Sequence, residues 1–578
     1  MSITSPLLLA SLLLLPVETA GENASRTPPL AVVVGGEAPL YAELRGGGRL
    51  LDVALASRLW QQVKATPEID AGLRSKQVRQ AKSGLAMFAR LLDRSPEEAV
   101  REVIGNELAL AVVPRGMGDP ALLLGARLSS PAEARRLGDI VHDFLTLVGE
   151  DDDYLDGGPI RTVNGDEFHA TLGDCFLIAN DRATLVDAIS RAGQSDAQFG
   201  GSPTDEAPQD GARLFARADL TLLREAYGGD RLPEVYDNAI GALLAHGVNT
   251  SINRADRATA VLDVTATGIH LEATVDGEAA ESARWTEPAD ASRLAFEVPR
   301  DTIATFILTR DFAEFYERRL ELLDPSIEGQ IVEFDNVVSI FFGGRSFGDE
   351  ILPALGDEVA LVIGPQRFGD APTPPDIRLP GFALVASIVD DGLRKSDLLV
   401  AFQTTIGIVN ADRAQNGLPS MLLSNERING EDVASARFIL DEDVEAKEMR
   451  MNASPTVAVV DRHLVIGSAK DHALEVIAAL KRGGFDPADG ANSAVLVDVG
   501  NLRAILDENS EVLIANRMLE EGENRAEAEA FWGRASQILS LVDVGRLRLD
   551  RTAEGLTLRL TVTPAPATST EPSPEQSR

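Results

Sequence analysis

The strongest constraint on the fold is that the chain repeats itself. The stretch "LDVTATGIHLEATV" (Leu262–Val275) recurs as "LDRTAEGLTLRLTV" (Leu549–Val562), and "IGNELALAVVP" (Ile104–Pro114) recurs as "LGDEVALVIGP" (Leu355–Pro365). Three further pairs keep the same order along the chain: Pro120–Ser130 with Gly381–Asp391, Phe176–Ile189 with Leu464–Ile477, and Ala212–Leu220 with Ala494–Leu502. Matched stretches in one order predict a tandem duplication of a unit of roughly 250 to 270 residues.

The repeated unit has the pattern of an α+β fold. In the closing hairpin of the first copy, apolar residues occupy every second position, at Ile269, Leu271, Ala273 and Val275, which is typical of a strand with one buried face. Short turns between successive strands predict antiparallel pairing, and stretches of helical periodicity separate the strands. We therefore expect an α+β protein of two tandem homologous units, each a mainly antiparallel sheet with packed helices.

The ends of the chain differ in composition from the repeated units. The apolar run Leu7–Val17 is too short for a membrane span, and small residues follow it, as in a cleaved signal peptide. The C-terminal tail is rich in Pro, Ser, Thr and Glu. The expected segments are a signal peptide at 1–21, a first unit at 31–276, a linker at 277–291, a second unit at 292–563 and a disordered tail at 564–578. These features predict a periplasmic or secreted protein with no membrane span in the mature chain.

The charge of the chain limits its partners. The formal net charge is -36, and no basic stripe interleaved with aromatic residues offsets it. Such a polyanion repels the phosphate backbone, so we expect no nucleic-acid partner. The acidity is expected to keep the surface solvated, and a protein partner or an apolar ligand is the expected interaction.

One short motif could carry catalysis. The stretch "GRSFG" (Gly344–Gly348) fits the nucleophile elbow, in which a sharp turn presents a serine to a histidine, and His463 follows in the required order. However, an ungapped alignment of the two copies places Ser346 on Ser95, which begins the capping box Ser-Pro-Glu-Glu. A helix cap explains both copies, so we expect caps, and the pair Ser346 and His463 remains the catalytic alternative.

The sequence contains no convincing metal or cofactor site. The six histidines lack the paired spacing of a zinc site: His142, His169, His246, His270, His463 and His472. The acidic stretch "EDDDYLDGG" (Glu150–Gly158) fails as a calcium loop, because Tyr154 and Val163 would fall on ligand positions. Cys175 lies in the apolar run "CFLIA" and is expected to be a small buried hydrophobe. We expect neither a metal nor a cofactor.

The order of several patterns resembles a known group of proteins. These patterns are "VPRDTIATFILTRDFAEF", the Gly-Asp-Glu strand pair, "HLVIGSAKDHALEVI" and the closing hairpin. Their order is similar to that of a large group of exported bacterial proteins known only as a domain of unknown function. The resemblance covers most of residues 31 to 563. It implies a fold and implies no catalytic residues.

These observations favour an exported, non-enzymatic protein that acts through binding or envelope scaffolding. Within binding, the alternative is a carrier of an apolar ligand held between a curved antiparallel sheet and the helices packed on it. The opposing hypothesis is a serine hydrolase that uses Ser346.

Overall fold

The computed structural model describes most of residues 30 to 565. The residues outside this description are 1–29, 37, 57–75, 115–118, 149–159, 164–166, 194–207, 209–210, 228–238, 277–293, 295, 320–324, 343, 369–373, 390–392, 439–448, 485–490, 553–554 and 566–578. The expected signal peptide, the linker, the acidic stretch 150–158 and all but the first two residues of the expected tail therefore lie outside the described residues.

The chain divides into two compact units, and each combines helices with antiparallel strands. The first unit comprises Met1–Pro233 and Ser251–Glu278, and the second comprises Glu234–Thr250 and Ala279–Arg578. The mixture of helices with antiparallel sheet confirms the α+β class.

The sheet of the first unit has the strand order β4-β5-β6-β3-β2-β1-β7-β8-β9, and each neighbouring pair is antiparallel. Its strands are β1 Leu40–Arg45, β2 Glu107–Val113, β3 Ala121–Arg127, β4 Ile160–Val163, β5 Glu167–Leu172, β6 Cys175–Ala179, β7 Gly211–Asp219, β8 Arg257–Thr265 and β9 Gly268–Asp276. The helices in this part of the chain are α1 Gly47–Ala56, α2 Lys76–Leu91, α3 Pro96–Ile104, α4 Pro131–Val148, α5 Arg182–Ala192, α6 Leu220–Tyr227 and α7 Ala239–Arg254.

The sheet of the second unit has the strand order β13-β14-β15-β16-β12-β11-β10-β17-β18-β19, again antiparallel at each pair. Its strands are β10 Ala304–Thr309, β11 Leu355–Gly364, β12 Gly381–Ile388, β13 Met421–Ile428, β14 Glu431–Phe438, β15 Thr456–Val460, β16 His463–Gly467, β17 Ser493–Asp498, β18 Val542–Thr552 and β19 Gly555–Pro564. The helices are α8 Phe312–Glu317, α9 Pro325–Phe341, α10 Lys395–Gln415, α11 Lys470–Arg482, α12 Val499–Glu508, α13 Ser510–Glu520 and α14 Arg525–Leu539.

In each unit, one face of the sheet carries the largest buried cluster. In the first unit, Tyr41, Ala111 and Leu123 pack with a π-helical turn at Ala31–Gly35. In the second unit, Val362 and its neighbours pack with Phe296 and with α11. Because side chains alternate between the faces of a strand, the residues between these core positions lie on the opposite face, which we call the outward face. Part of that face is also buried in a second cluster in each unit, as at Leu44 in the first and Leu464 in the second.

In each unit, the glutamate of the Gly-Asn-Glu or Gly-Asp-Glu stretch accepts a hydrogen bond from the backbone of a segment that packs on the core. Glu107 Oε1 accepts a hydrogen bond from the backbone N–H of Leu30 at 3.1 Å. Glu358, which is buried, accepts the N–H of Leu294 at 2.5 Å. A buried N–H needs an acceptor, so this glutamate stabilises the covering segment as well as the turn.

For two of the matched stretches, strand pairing in the two units gives a different register from the sequence alignment. Leu124 lies opposite Leu110 in the first unit, and Leu384 lies opposite Leu361 in the second. By strand position Leu124 therefore corresponds to Leu384, one residue away from the alignment of Pro120 with Gly381. A slip of one residue exchanges the two faces of a strand, so only the structure assigns these side chains to a face.

The pair Ala212–Leu220 and Ala494–Leu502 also shifts, by three residues. Asp219 accepts the N–H of Leu222 at 2.9 Å and Asp498 accepts that of Asn501 at 2.7 Å, so the two aspartates occupy equivalent cap positions.

Candidate functional site

The outward face of the second unit's sheet carries a continuous row of apolar side chains. Phe306 lies opposite Leu361 on one side and opposite Val495 on the other. The same register extends the row across seven strands, and we call it the apolar row: Leu560, Leu547, Val495, Phe306, Leu361, Leu384 and Ile466. Directly opposed residues of antiparallel strands have Cβ atoms about 5 Å apart, so these side chains form one stripe.

The apolar row is partly exposed to solvent. The exposed fractions of Phe306 and Ile466 are 40% and 39%. Phe382, two residues from Leu384 on the same face of β12, is 47% exposed. Single exposed apolar residues are common on protein surfaces, whereas a contiguous stripe of them indicates a binding surface.

A cavity of about 350 Å³ lies near one end of β11. It is lined mostly by apolar residues from the start of α8, a 3₁₀ turn at Leu352–Ala354, the start of β11 and the end of β12: Phe312, Ala313, Leu352, Pro353, Leu355, Gly356, Asp357 and Val389. This volume falls in the range of about 300 to 1,000 Å³ that small-molecule sites occupy.

A break in strand register accompanies the cavity. The pairing of β11 with β12 is interrupted between Leu355 and Val359. Such irregularities bend a strand and redirect its side chains, and they are frequent next to binding sites. Both Leu355, in the cavity wall, and Leu361, in the apolar row, are partly exposed residues on the alternating outward positions of β11. They are six positions apart along the strand, which corresponds to at most about 20 Å.

Arg310 follows β10 and contacts a wall residue of this cavity through its backbone. Its backbone N–H donates to the carbonyl of the wall residue Asp357 at 2.7 Å. Its side chain is 2% exposed, and Nη1 donates to the Thr309 carbonyl at 2.7 Å and to Ser493 Oγ at 2.8 Å. Burial lowers the pKa of Arg310 to about 10.

The predicted helix caps are confirmed at both serines. Ser95 Oγ accepts the N–H of Glu98 at 3.2 Å, and Glu98 accepts the N–H of Ser95 at 2.8 Å, which completes the capping box. Ser346 caps a π-helical turn at Phe347–Ile351: its Oγ accepts the N–H of Asp349 at 3.2 Å and donates to Asp349 Oδ2 at 3.0 Å.

The structure gives the alternative catalytic residues different surroundings. Among the described residues, the hydrogen bonds of the Ser346 hydroxyl are with Asp349 and not with a histidine. His463 begins β16 opposite Ser387, and burial lowers its pKa. Its Nδ1 has no hydrogen-bond partner in the described part of the chain.

Three of the other histidines, and Cys175, lie in the core, whereas His270 is exposed. His142 Nδ1 and His169 Nε2 lie 3.1 Å apart in the first unit, a pairing that their spacing of 27 residues does not reveal. His472 Nε2 contacts the Val362 carbonyl at 3.0 Å. Cys175 is fully buried as expected, and burial raises the pKa of its thiol to about 12. Across the described residues, no three His, Cys, Asp or Glu side chains are grouped to hold a metal ion.

The sequence interpretation missed the apolar row and Arg310. The signal present in the sequence is the apolar residue at each outward position of strands such as "ATFILT" and "GFALVASI". That pattern predicts a strand buried on both faces. Only the strand register and the exposure of the side chains show that residues on one face are partly exposed to solvent.

Comparisons with known proteins give no relative for this chain: no family model matches it, and neither curated proteins nor solved structures yield a significant match. None of the helices in the described parts of the chain combines the length and apolar character required to cross a membrane.

Proposed function

We propose that this chain is an exported, non-enzymatic binding protein whose second unit takes an apolar ligand along the apolar row and in the adjoining cavity. The observation that carries the proposal is the continuity of partly exposed apolar side chains across seven strands. Removing that surface from water stabilises a complex by about 25 cal/mol per Å² of apolar area.

The cavity supports a small molecule as the occupant. Its walls are apolar except for Asp357, and its volume accommodates part of a small ligand. The high negative charge of the chain disfavours docking on anionic membrane surfaces, which would be the other use of an apolar face. A carrier of an apolar ligand is therefore favoured over a membrane-docking or purely scaffolding role.

The test is binding of the neutral fluorescent probe N-phenyl-1-naphthylamine to the full chain. Wild type is expected to bind it, and Phe306→Ser with Phe382→Ser is expected to weaken binding about ten- to hundredfold, because partly exposed aromatic contacts of about 1.5 to 3 kcal/mol are lost. The matched control changes the corresponding positions of the first unit, Ala42→Ser with Leu122→Ser, and should leave affinity unchanged.

Two results would count against a carrier. Wild type that binds no probe, or serine variants that bind as tightly as wild type, would remove the apolar row as a ligand site. If a pull-down from the native envelope fraction then recovered a stable protein complex, the scaffold alternative would be favoured.

A serine hydrolase is the less favoured alternative, because the Ser346 hydroxyl is hydrogen-bonded to Asp349 in a helix cap. A nucleophilic serine needs a general base within hydrogen-bond reach. Among the described residues, the hydroxyl is bonded to the Asp349 carboxylate, and a contact with a histidine, which the nucleophile elbow uses, is not among its hydrogen bonds.

We also infer that the two units arose by tandem duplication. The inference is supported by the same relative order of the matched strands in the two sheets. The glutamate contacts to Leu30 and Leu294 and the caps at Ser95 and Ser346 also recur. Experimental structures of the two units with different strand orders would contradict duplication.

Export to the periplasm or medium is proposed from the N-terminal sequence alone. The apolar run Leu7–Val17 and the small residues that follow it support cleavage near Gly21. The resemblance to exported bacterial proteins of unknown function stays a prediction. The intact mass of the protein recovered outside the cytoplasm tests cleavage, and a retained Met1 there would argue against it.

A further inference from the structure

Two buried histidines join a helix to the sheet of the first unit. His142 lies in α4 and His169 in β5, and their exposed fractions are 7% and 1%. The Nδ1 atom of His142 and the Nε2 atom of His169 are 3.1 Å apart, which is a hydrogen-bond distance. One ring therefore donates and the other accepts, as two neutral rings can do, or a neutral ring with a singly protonated partner.

The second unit has an apolar residue at the strand position of this pair. Ile178 of β6 lies opposite His169, and Ile466 of β16 lies opposite Val457. Val457 therefore occupies in β15 the place that His169 occupies in β5. It is 4% exposed, so both residues are buried.

The helix position of the pair is also apolar in the second unit. α4 follows β3 as α10 follows β12, and the residues before these helices are Ser130 and Arg394. His142 lies as many positions after Ser130 as Ile406 lies after Arg394, and Ile406 is buried. A contact between this helix and the sheet thus does not need histidines for packing. Titration near neutral pH is the property that an imidazole adds to it.

Charged side chains from α4, β4 and β5 surround the pair. Arg161 of β4 lies directly opposite His169, and its Nη1 donates to Asp139 of α4 at 2.7 Å, so this cation and this anion offset each other. Asp143 follows the histidine of α4 in the chain. Glu167 lies on the same face of β5 as His169. The carboxylates favour a first added proton.

The neighbours from the other elements are apolar. β6 contributes Ile178 and Phe176, whose ring centroid is 5.9 Å from that of the β5 histidine. α2 packs near Ile140 of α4 through Leu85. α5 packs on the opposite face of β5, through Leu185. None of these named side chains titrates, so none offsets a second proton on the pair.

Two added protons are incompatible with the packed helix. Each ring would then only donate, and two cations would face each other about 3 Å apart where burial makes charge costly. Once the helix is released, both rings bind protons near the ordinary histidine pKa of about 6.5. Below that pH the released state holds about one proton more than the packed state, so its population rises about tenfold for each further pH unit.

We propose that His142 and His169 form an acid-sensitive latch, which holds α4 on the sheet at neutral pH and releases it when both rings are protonated. The buried cluster beneath α4 includes Ala126, Leu128 and Phe176, on the outward face of the sheet. Release of the helix uncovers these side chains. The first unit therefore gains an exposed apolar surface in acid.

The experiment is hydrogen exchange of the full chain between about pH 7.5 and pH 5, corrected for the intrinsic pH dependence of exchange. Peptides from α4 should lose protection about tenfold per pH unit below about pH 6. α10 is the control within the same molecule, because its buried Ile406 and the strand residue Val457 do not titrate. Its protection should not change. N-phenyl-1-naphthylamine should also bind additionally at the lower pH.

Two double variants assign the response to the pair. His142→Ile with His169→Val introduces the residue types of the second unit, and His142→Gln with His169→Gln keeps a donor and an acceptor without titration. In both, α4 should stay protected at about pH 5. The matched control is His270→Gln, at an exposed histidine of the same unit, which should leave the response of α4 as in wild type.

The outcomes decide each part of the inference. If α4 of wild type keeps its protection in acid, or loses no more than α10, the latch is overturned. If α4 opens equally in wild type and in the glutamine variant, another group is responsible and the assignment to this pair is overturned. If α4 opens without additional binding of the probe, the claim that release exposes an apolar surface fails. Should either double variant not fold, the other and the difference between α4 and α10 in wild type decide the question.

Discussion

The outward faces of the two sheets differ at corresponding positions. In the first unit, the row in register with Ala42 consists of Ala273, Ala260, Ala216, Ala42, Leu110, Leu124 and Ile178. The three residues at one end, Leu110, Leu124 and Ile178, are the same types as Leu361, Leu384 and Ile466 in the apolar row. At the other four positions the first unit has alanine, and the second unit has Phe306, Val495, Leu547 and Leu560.

The comparison shows how one strand order supports two surfaces. Core positions such as Ala111 and Val362 are buried in both units, so they are constrained by packing. The outward positions are only partly buried, so packing constrains them less and they can differ between units. The register of β2 with β3 is unbroken from Glu107 to Val113, whereas that of β11 with β12 is interrupted beside the cavity. The second unit thus combines an enlarged apolar surface with a strand irregularity.

The largest expected effect concerns the first position of β6 and β16, which is Cys175 in the first unit and His463 in the second. A thiol pKa raised by burial to about 12 leaves roughly a thousandfold less thiolate at mildly alkaline pH than an ordinary cysteine. Native Cys175 should react with iodoacetamide at least about a thousandfold more slowly than the unfolded chain, as followed by intact mass.

The matched variant sharpens this test of the comparison. His463→Cys in a Cys175→Ser background should react faster than native Cys175, because the His463 side chain is only partly buried. Equal rates at the two positions would show that these strand ends do not differ in accessibility.

The second expected effect concerns the glutamates that hold the covering segments. Glu358→Ala should lower the free energy of unfolding by about 2 to 3 kcal/mol, because it leaves the buried N–H of Leu294 without its acceptor. Glu107→Ala should cost about 1.5 to 2.5 kcal/mol, since Glu107 also accepts from Arg127 at 2.7 Å but is less buried. Chemical denaturation measures both.

The exposed Glu97 provides the control for these variants. Glu97→Ala should change stability by no more than about 0.5 kcal/mol. A large loss in one unit with none in the other would mean that this contact is not equivalent in the two sheets.

The smallest expected effect concerns the helix caps. Ser95→Ala should cost about 1 to 2 kcal/mol, and Ser346→Ala about 0.5 to 1, because only Ser95 is part of a complete capping box. Denaturation curves at neutral pH test the order, and a larger loss for Ser346 would reverse it.

Wild type should also not be labelled by a fluorophosphonate probe. Labelling that disappears in Ser346→Ala would establish a nucleophile instead of a cap.

The Ser95 cap is further expected to weaken in acid. The hydrogen bonds with Ser95 lower the pKa of Glu98 below its ordinary value. For a carboxyl group with a lowered folded pKa, the stabilisation is present above the unfolded pKa and is lost as pH falls through the folded pKa. The stability difference between wild type and Glu98→Ala should therefore shrink at strongly acidic pH. A difference that is the same at neutral and acidic pH would exclude a contribution from ionised Glu98.

The sequence alone determined the local features of this protein. The caps at Ser95 and Ser346 depend on contacts between residues three positions apart, so composition and spacing are enough to predict them. The α+β class followed from strand and helix periodicity, and the burial of Cys175 followed from its apolar neighbours.

The tertiary structure alone decided which side chains meet. The apolar row joins residues from Phe306 to Leu560, and the pairing of His142 with His169 crosses 27 residues, so both depend on strand register or packing that no local pattern contains. Arg310 reads in the sequence as an ordinary charged residue after a strand. Its isolation arises because Thr309 and Ser493 occupy one side of the guanidinium and no described carboxylate pairs with it. Burial and register are properties of the assembled sheet, and for this reason the candidate site became visible only in the fold.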